Sequence, residues 1–173
     1  MNEEVLNENP EEQKSTIASI VKRTNAMKIL MYISNDIDGF GDYTLQEIAE
    51  PLKMNENTTY KNLNRLVGIG LLAKTTPKGD KRERYYSITD KILAKKVIEK
   101  YKHWVGFCLA RLIPYERQYL SQLKQDKRFI EACKQYGLLL SEGITVILGC
   151  YKIGKEQDGT DLIIWRREQG YDS

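Results

Sequence analysis

Residues 43–74 read YTLQEIAEPLKMNENTTYKNLNRLVGIGLLAK, and residues 82–89 read RERYYSIT. Thr44 can cap a helix, and Glu47 three residues on completes the pattern of a capping box. Leu45, Ile48, Ala49 and Leu52 then share one face of a short helix with Pro51 near its end. Lys53-Met54-Asn55 makes a tight connection, with Asn55 as the next N-cap. The second helix runs to about Val67. Thr59, Leu63, Leu66 and Val67 lie on one of its faces, and Thr58, Lys61, Asn62, Asn64 and Arg65 on the other. Two helices joined by so short a turn, the second rich in amide and cationic side chains, predict a helix-turn-helix. The residue types suit base readout, because Asn pairs bidentately with adenine, and Arg or Lys with guanine, at the major-groove edge.

Outward from this core, Gly70 ends the second helix and Leu71–Thr75 predicts a strand. Pro77-Lys78-Gly79-Asp80 is a turn, and Arg84–Thr89 alternates well enough for a return strand. Lys78, Lys81, Arg82 and Arg84 sit at or near the hairpin tip. With these residues in place, the chain resembles the winged helix-turn-helix regulators of the MarR/ArsR/PadR kind, archaeal relatives included. The family pattern is a Thr/Leu-x-x-Ile-Ala helix, a T-x-x-x-x-L-x-x-L recognition helix ending in Gly-Leu, and a basic wing closing in Tyr-x-Ile/Leu-Thr. The resemblance spans about residues 26–92, roughly half the chain.

The resemblance implies that Thr59 and Leu63 belong to the core. It places Asn57, Thr58, Tyr60, Lys61, Asn64 and Arg65 on double-stranded DNA, with the wing's Lys78, Lys81, Arg82 and Arg84 on the sugar-phosphate backbone or minor groove. Tyr60 stands where the family usually has a small Ser or Thr, so it either packs against the DNA backbone or fouls a close approach. Some members hold a metal through Cys pairs in the second helix. No Cys occurs in residues 1–107, so no metal site is carried over.

Charge agrees with this reading in its distribution and not in its total. The 173 residues carry 27 Lys and Arg against 24 Asp and Glu, a net charge of only +3. Residues 1–12 hold five acids and no base, whereas residues 53–102 hold thirteen bases and five acids. An excess confined to one window is the electrostatic footprint of a polyanion-binding surface. The composition sets other classes aside. No apolar run approaches the roughly 18 residues that span a bilayer, and Leu138–Cys150 is interrupted by Glu142. The acidic N-terminus has the wrong sign for a secretory or transit peptide. Three Cys and one His are too few and too scattered for a disulfide scaffold, a zinc site or a serine-type triad. A reduced, cytoplasmic protein with no cofactor and no catalytic residues is expected.

The rest of the chain is read by periodicity. Residues 1–13 are acidic and polar and read as a disordered tail. Apolar positions from Ile17 to Ile33 suggest a helix ending near Asn35, with a break around Thr24–Asn25. After the wing, Thr89 or Asp90 can cap a long helix with Val97, Tyr101, Trp104, Cys108 and Leu112 along one stripe, stopped by Ile113-Pro114. That stripe approximates a heptad seam and is the expected homodimer contact. Further helices are expected around Tyr115–Leu123, around Phe129–Cys133 up to Gly137, and from Ser141 to a C-cap at Gly154. Asp161–Arg167 fits a strand or a short amphipathic helix. His103 reads as a surface position, and Cys108, Cys133 and Cys150 as buried structural thiols.

The expected fold is therefore mainly α with a small β-hairpin wing. A winged helix-turn-helix over residues 14–92 is followed by a helical dimerisation or effector region over residues 93–173. The expected function is sequence-specific transcription regulation by a DNA-binding homodimer with no membrane contact. A replication, partition or architectural DNA-binding role, or a protein–protein adaptor, is the alternative. Helices after the wing are long enough to enclose a small-molecule effector, but no residue pattern supports one.

Overall fold

A computed structural model describes residues 10–35, 41–79, 82–112, 117–155 and 161–165. The chain divides into two compact units, residues 1–100 and 101–173. The boundary falls inside one long helix.

The first unit is built around a central helix. Helix α1 (Pro10–Val21) is followed by α2 (Thr24–Ser34); the break falls at Lys22–Arg23, just before the expected Thr24–Asn25, which instead open α2. Residues 10–13, within the expected tail, belong to α1 as described, and residues 1–9 lie outside the described residues. Proline suits a first helical position because its missing N–H would have no partner there. On α2, Ala26, Met27, Ile29, Leu30, Met31 and Ile33 are all buried. A helix apolar on nearly every side must be surrounded. Helices α3 (Leu45–Ala49) and α4 (Glu56–Gly68) pack on it, contributing Ile48, Ala49, Thr59, Leu63 and Leu66 to the core.

The caps are those the sequence announces. Thr44 Oγ1 accepts from the Glu47 amide at 3.3 Å, while Glu47 Oε2 accepts from the Thr44 amide at 2.8 Å. Asn55 Oδ1 accepts from the amides of Asn57 and Thr58 at the start of α4; caps of this kind contribute about 1 kcal/mol each. Regular α-helical bonding in α3 ends at Ala49 and not at Leu52, because Pro51 has no N–H to donate to Glu47 one turn back, and a Schellman pair closes the turn that follows. Lys53 N–H bonds to Glu50 C=O and Met54 N–H to Ala49 C=O, with Lys53 at φ +50°. The turn of the helix-turn-helix thus depends on a left-handed lysine. The same pair of bonds ends α4, where Gly70 at φ +78° takes that conformation without a Cβ penalty.

Strands β1 (Leu72–Thr75) and β2 (Tyr85–Ile88) form the antiparallel wing, with Leu72 opposite Ile88 and Thr75 opposite Tyr85. Tyr43 adds a bridge to β2 through two backbone bonds with Tyr86 at 2.8 and 2.9 Å. The wing root is thereby tied to the start of α3. Tyr86 is buried, and the Tyr43 ring meets Tyr32 of α2 edge-on at 5.8 Å. Asp90, one of the two expected caps, accepts from Ile92 and Leu93 and starts helix α5 (Lys91–Ala110). Thr89 instead donates its hydroxyl to the Gly70 carbonyl, closing the wing onto the end of α4.

The second unit departs from the all-helical expectation. Strand β3 (Arg117–Tyr119) stands where a helix was expected to include Tyr119, and α6 (Leu120–Gln125) follows it. Helix α7 (Lys127–Gln135) is capped by Asp126 and contains Phe129, Ile130 and Cys133 as read. Helix α8 (Leu140–Cys150) starts one residue before the expected cap Ser141 and ends at Cys150. The expected C-cap Gly154 lies instead in strand β4 (Tyr151–Lys155), and β5 (Asp161–Trp165) resolves the open choice as a strand. These strands form an antiparallel sheet in the order β3-β5-β4. Period alone cannot separate a short apolar helix from a buried strand; here the pairing of β5 with both neighbours decides.

Candidate nucleic-acid interface

Helix α4 divides cleanly into a buried and an exposed side. Thr59, Leu63 and Leu66 are fully buried, and Thr59 also returns its hydroxyl to the Asn55 carbonyl at 3.0 Å. Asn57, Tyr60, Lys61 and Arg65 are exposed, and Thr58 and Asn64 are half-buried. Asn62 departs from the expected polar face, being only 5% exposed. Its amide donates to the Thr58 carbonyl at 2.8 Å, and its Oδ1 accepts from Arg65 Nη1 at 3.4 Å. Asn62 therefore orients Arg65 from within the helix, while the arginine keeps further donors outward.

The wing carries its cations on the strand ends and turn. Lys78, Arg82 and Arg84 are exposed; Lys81 lies outside the described residues. Arg84 Nη1 donates to Thr76 Oγ1 at 2.9 Å, which braces the two strands below the tip. Tyr85 donates its hydroxyl to Glu83 at 2.8 Å, and that hydrogen bond to a carboxylate raises the phenol above its ordinary range.

Helix and wing meet at a residue the sequence reading treated only as strand. Lys74 on β1 is exposed and its Nζ lies 5.7 Å from the centroid of the Tyr60 ring on α4. Lys74 also pairs in register with Tyr86. Burial raises the Tyr86 phenol, Tyr60 adds to this, and Arg84 opposes it. The signal available in the sequence was alternation: Lys74 falls two residues after the buried Leu72, but strand alternation says nothing about which helix lies alongside.

The expected dimer stripe is placed differently. Val97 and Tyr101 are both 0% exposed within the single chain and have no surface to offer a second copy. The physical reason at Tyr101 is intrachain. Its hydroxyl donates to the Tyr136 carbonyl at 2.6 Å, and Trp104 meets the Tyr136 ring edge-on at 5.9 Å. Burial lifts the Tyr136 phenol, a hydrogen bond with Cys108 adds to the shift, and Arg111 opposes it. Trp104 and Cys108 are half-buried, and Leu112 is 39% exposed. Cys133 is buried, which pushes its thiol up as a structural cysteine requires, whereas Cys108 is only partly covered. The side chain of Cys150 lies outside the described residues. His103 is exposed, as read, and packs edge-on against Phe107 at 5.1 Å. Among the described residues, no group of three or more His, Cys, Asp or Glu is placed to hold a metal. No helix among them is long and apolar enough to cross a membrane.

A capped helix pair joined by a tight turn, with an antiparallel hairpin docked on the end of the second helix, defines a winged helix-turn-helix fold. No family model matches the chain, and no curated protein matches it. Among solved structures, the chain is similar to the adhesin competence repressor AdcR of Streptococcus pyogenes, at 21% identity and a TM-score of 0.39 over 71% of this chain and 77% of that one. It is similar to the heme sensor protein PefR of Streptococcus agalactiae, in complex with heme, at 15% identity and 0.47 over 74% and 93%. A MarR protein from Peptoclostridium difficile matches at 19% and 0.36 over 79% and 95%.

Proposed function

We propose that this protein is a sequence-specific, double-stranded-DNA-binding transcription regulator that acts as a homodimer. The observation that supports it is the exposed side of α4. Asn57, Lys61 and Arg65 stand outward on a helix whose opposite side is locked into the core, on the same unit as a basic wing. Amide and guanidinium groups held on a rigid helix suit base edges, and flexible cations on a hairpin suit phosphates. Selection of bound duplexes from a random pool, followed by footprinting, tests the reading. Short palindromic protected sites are expected. Coating without sequence preference would indicate an architectural role, and absence of binding would indicate an adaptor.

Residue changes separate the two elements. Arg65→Ala or Asn64→Ala should cost about 1–3 kcal/mol on the selected site and relax preference at one base position. Arg82→Ala should weaken all sequences alike and lower the salt slope. Wing variants that change sequence preference while helix variants do not would reverse the docking.

For the dimer, the surface remaining on the stripe is Leu112 with the uncovered parts of Trp104 and Cys108. Leu112→Asp is the cleaner probe, because Trp104 is also engaged with Tyr136. Sedimentation should show the intact protein near twice 20.1 kDa and the Leu112→Asp variant as a folded monomer with weakened DNA binding. A wild-type monomer at micromolar concentration refutes the dimer.

A further inference from the structure

We propose that Lys74 is a further phosphate-contacting residue of the DNA interface, held by the Tyr60 ring where the recognition helix meets the wing. The inference rests on the DNA-binding reading above; it adds Lys74 as a contact and gives Tyr60 the role of its support.

The cations of α4, Lys61 and Arg65, and those of the wing, Lys78, Arg82 and Arg84, belong to separate elements. Between them in the chain runs β1, whose exposed cation is Lys74. A lysine in that place ordinarily sweeps a wide volume, since its four-carbon stem is flexible and its ammonium is strongly hydrated. Here the ammonium lies over an aromatic face on the neighbouring element. The ring quadrupole attracts the cation without using its three N–H donors, which stay available for an anion. Tyr60 is itself 46% exposed, so the pair sits at the surface. Its root is firm, because Lys74 pairs in register with the buried Tyr86, which is bonded in turn to Tyr43. A small residue at position 60 would leave Lys74 no face to lie on. The tyrosine therefore acts as a support, and the ammonium closes the cationic track from α4 to the wing tip.

The test uses the full chain and a fluorescent duplex that the wild-type protein selects from a random pool. Lys74→Gln should weaken binding about fivefold to tenfold near 100 mM salt and reduce the slope of log affinity against log salt by about one, as loss of one phosphate contact requires. Lys74→Arg should keep both, since a guanidinium retains the charge and stacks on a ring. Tyr60→Phe should resemble wild type. Tyr60→Ser should weaken binding, and adding Lys74→Gln to it should cost less than about twofold more, because the ammonium is no longer held. Unchanged affinity and slope for Lys74→Gln, alongside weakened binding for Arg82→Gln, overturns this inference and leaves the DNA reading standing. Equal losses from Lys74→Gln in the wild-type and Tyr60→Ser backgrounds remove Tyr60 as the positioning residue. Failure of the wild-type protein to select any duplex overturns both readings.

Discussion

DNA affinity is expected to fall by about a thousandfold or more between roughly 50 and 200 mM salt. Each phosphate neutralised by Lys or Arg releases condensed counterions, and the gain from that release shrinks as bulk salt rises. A loss of this size requires on the order of six phosphate contacts per dimer. One copy exposes Lys61, Arg65, Lys74, Lys78, Arg82 and Arg84 on the helix, the wing and their junction. Half of these per copy suffices. Equilibrium titrations of one duplex across that salt range check the outcome. A flat response would falsify the assignment of the basic window to DNA and would leave it as a solvated face.

Gly143→Val is expected to destabilise the protein by about 3 kcal/mol, as overpacking in a close helix crossing does. Helices α7 and α8 meet at Gly143, where a Cβ would run into Cys133 Sγ, with Cys133 Cβ at 3.5 Å and the Phe129 ring at 3.7 Å. Cys133 is buried and Phe129 is among the fully buried side chains, so neither can swing aside into solvent. Gly143→Ala sets two effects against each other. Alanine improves helix propensity by about 1 kcal/mol, while the collision with a buried sulfur costs about 1–3 kcal/mol. The collision should win, giving a net loss. Combining Gly143→Ala with Cys133→Ala removes the sulfur and should recover most of that loss. Chemical denaturation of the four proteins measures it; a single variant as stable as the parent would show that the helices can separate at little cost.

The helix-turn-helix was legible because its determinants are local. A capping box needs only Thr44 and Glu47, an N-cap only Asn55 and the next two amides, and a Schellman end only Gly70 and its neighbours. Lys53 shows the limit of that legibility, since nothing in its side chain announces a left-handed backbone. In the candidate site, the exposed Lys61 and Arg65 followed from helical phase, and Asn57 from the family resemblance. Asn62 did not, because a hydrogen bond to Thr58 one turn back satisfies its amide and lets a polar residue be buried.

Chain pattern by itself determined the capped helix pair, the basic hairpin and the break between α1 and α2. Each rests on interactions within a few residues or on apolar phase along one element. The rest needed the folded chain, because its partners are distant in sequence. Tyr43 joins the wing through Tyr86, Lys74 finds Tyr60, and Tyr101 is covered by Tyr136 and not left for a second copy. The same holds for the sheet of the second unit, where β3 lies next to β5 across more than forty intervening residues. An apolar stripe states that a face must be covered. It carries no information on whether the cover comes from the same chain, because the hydrophobic effect is non-directional and rewards either.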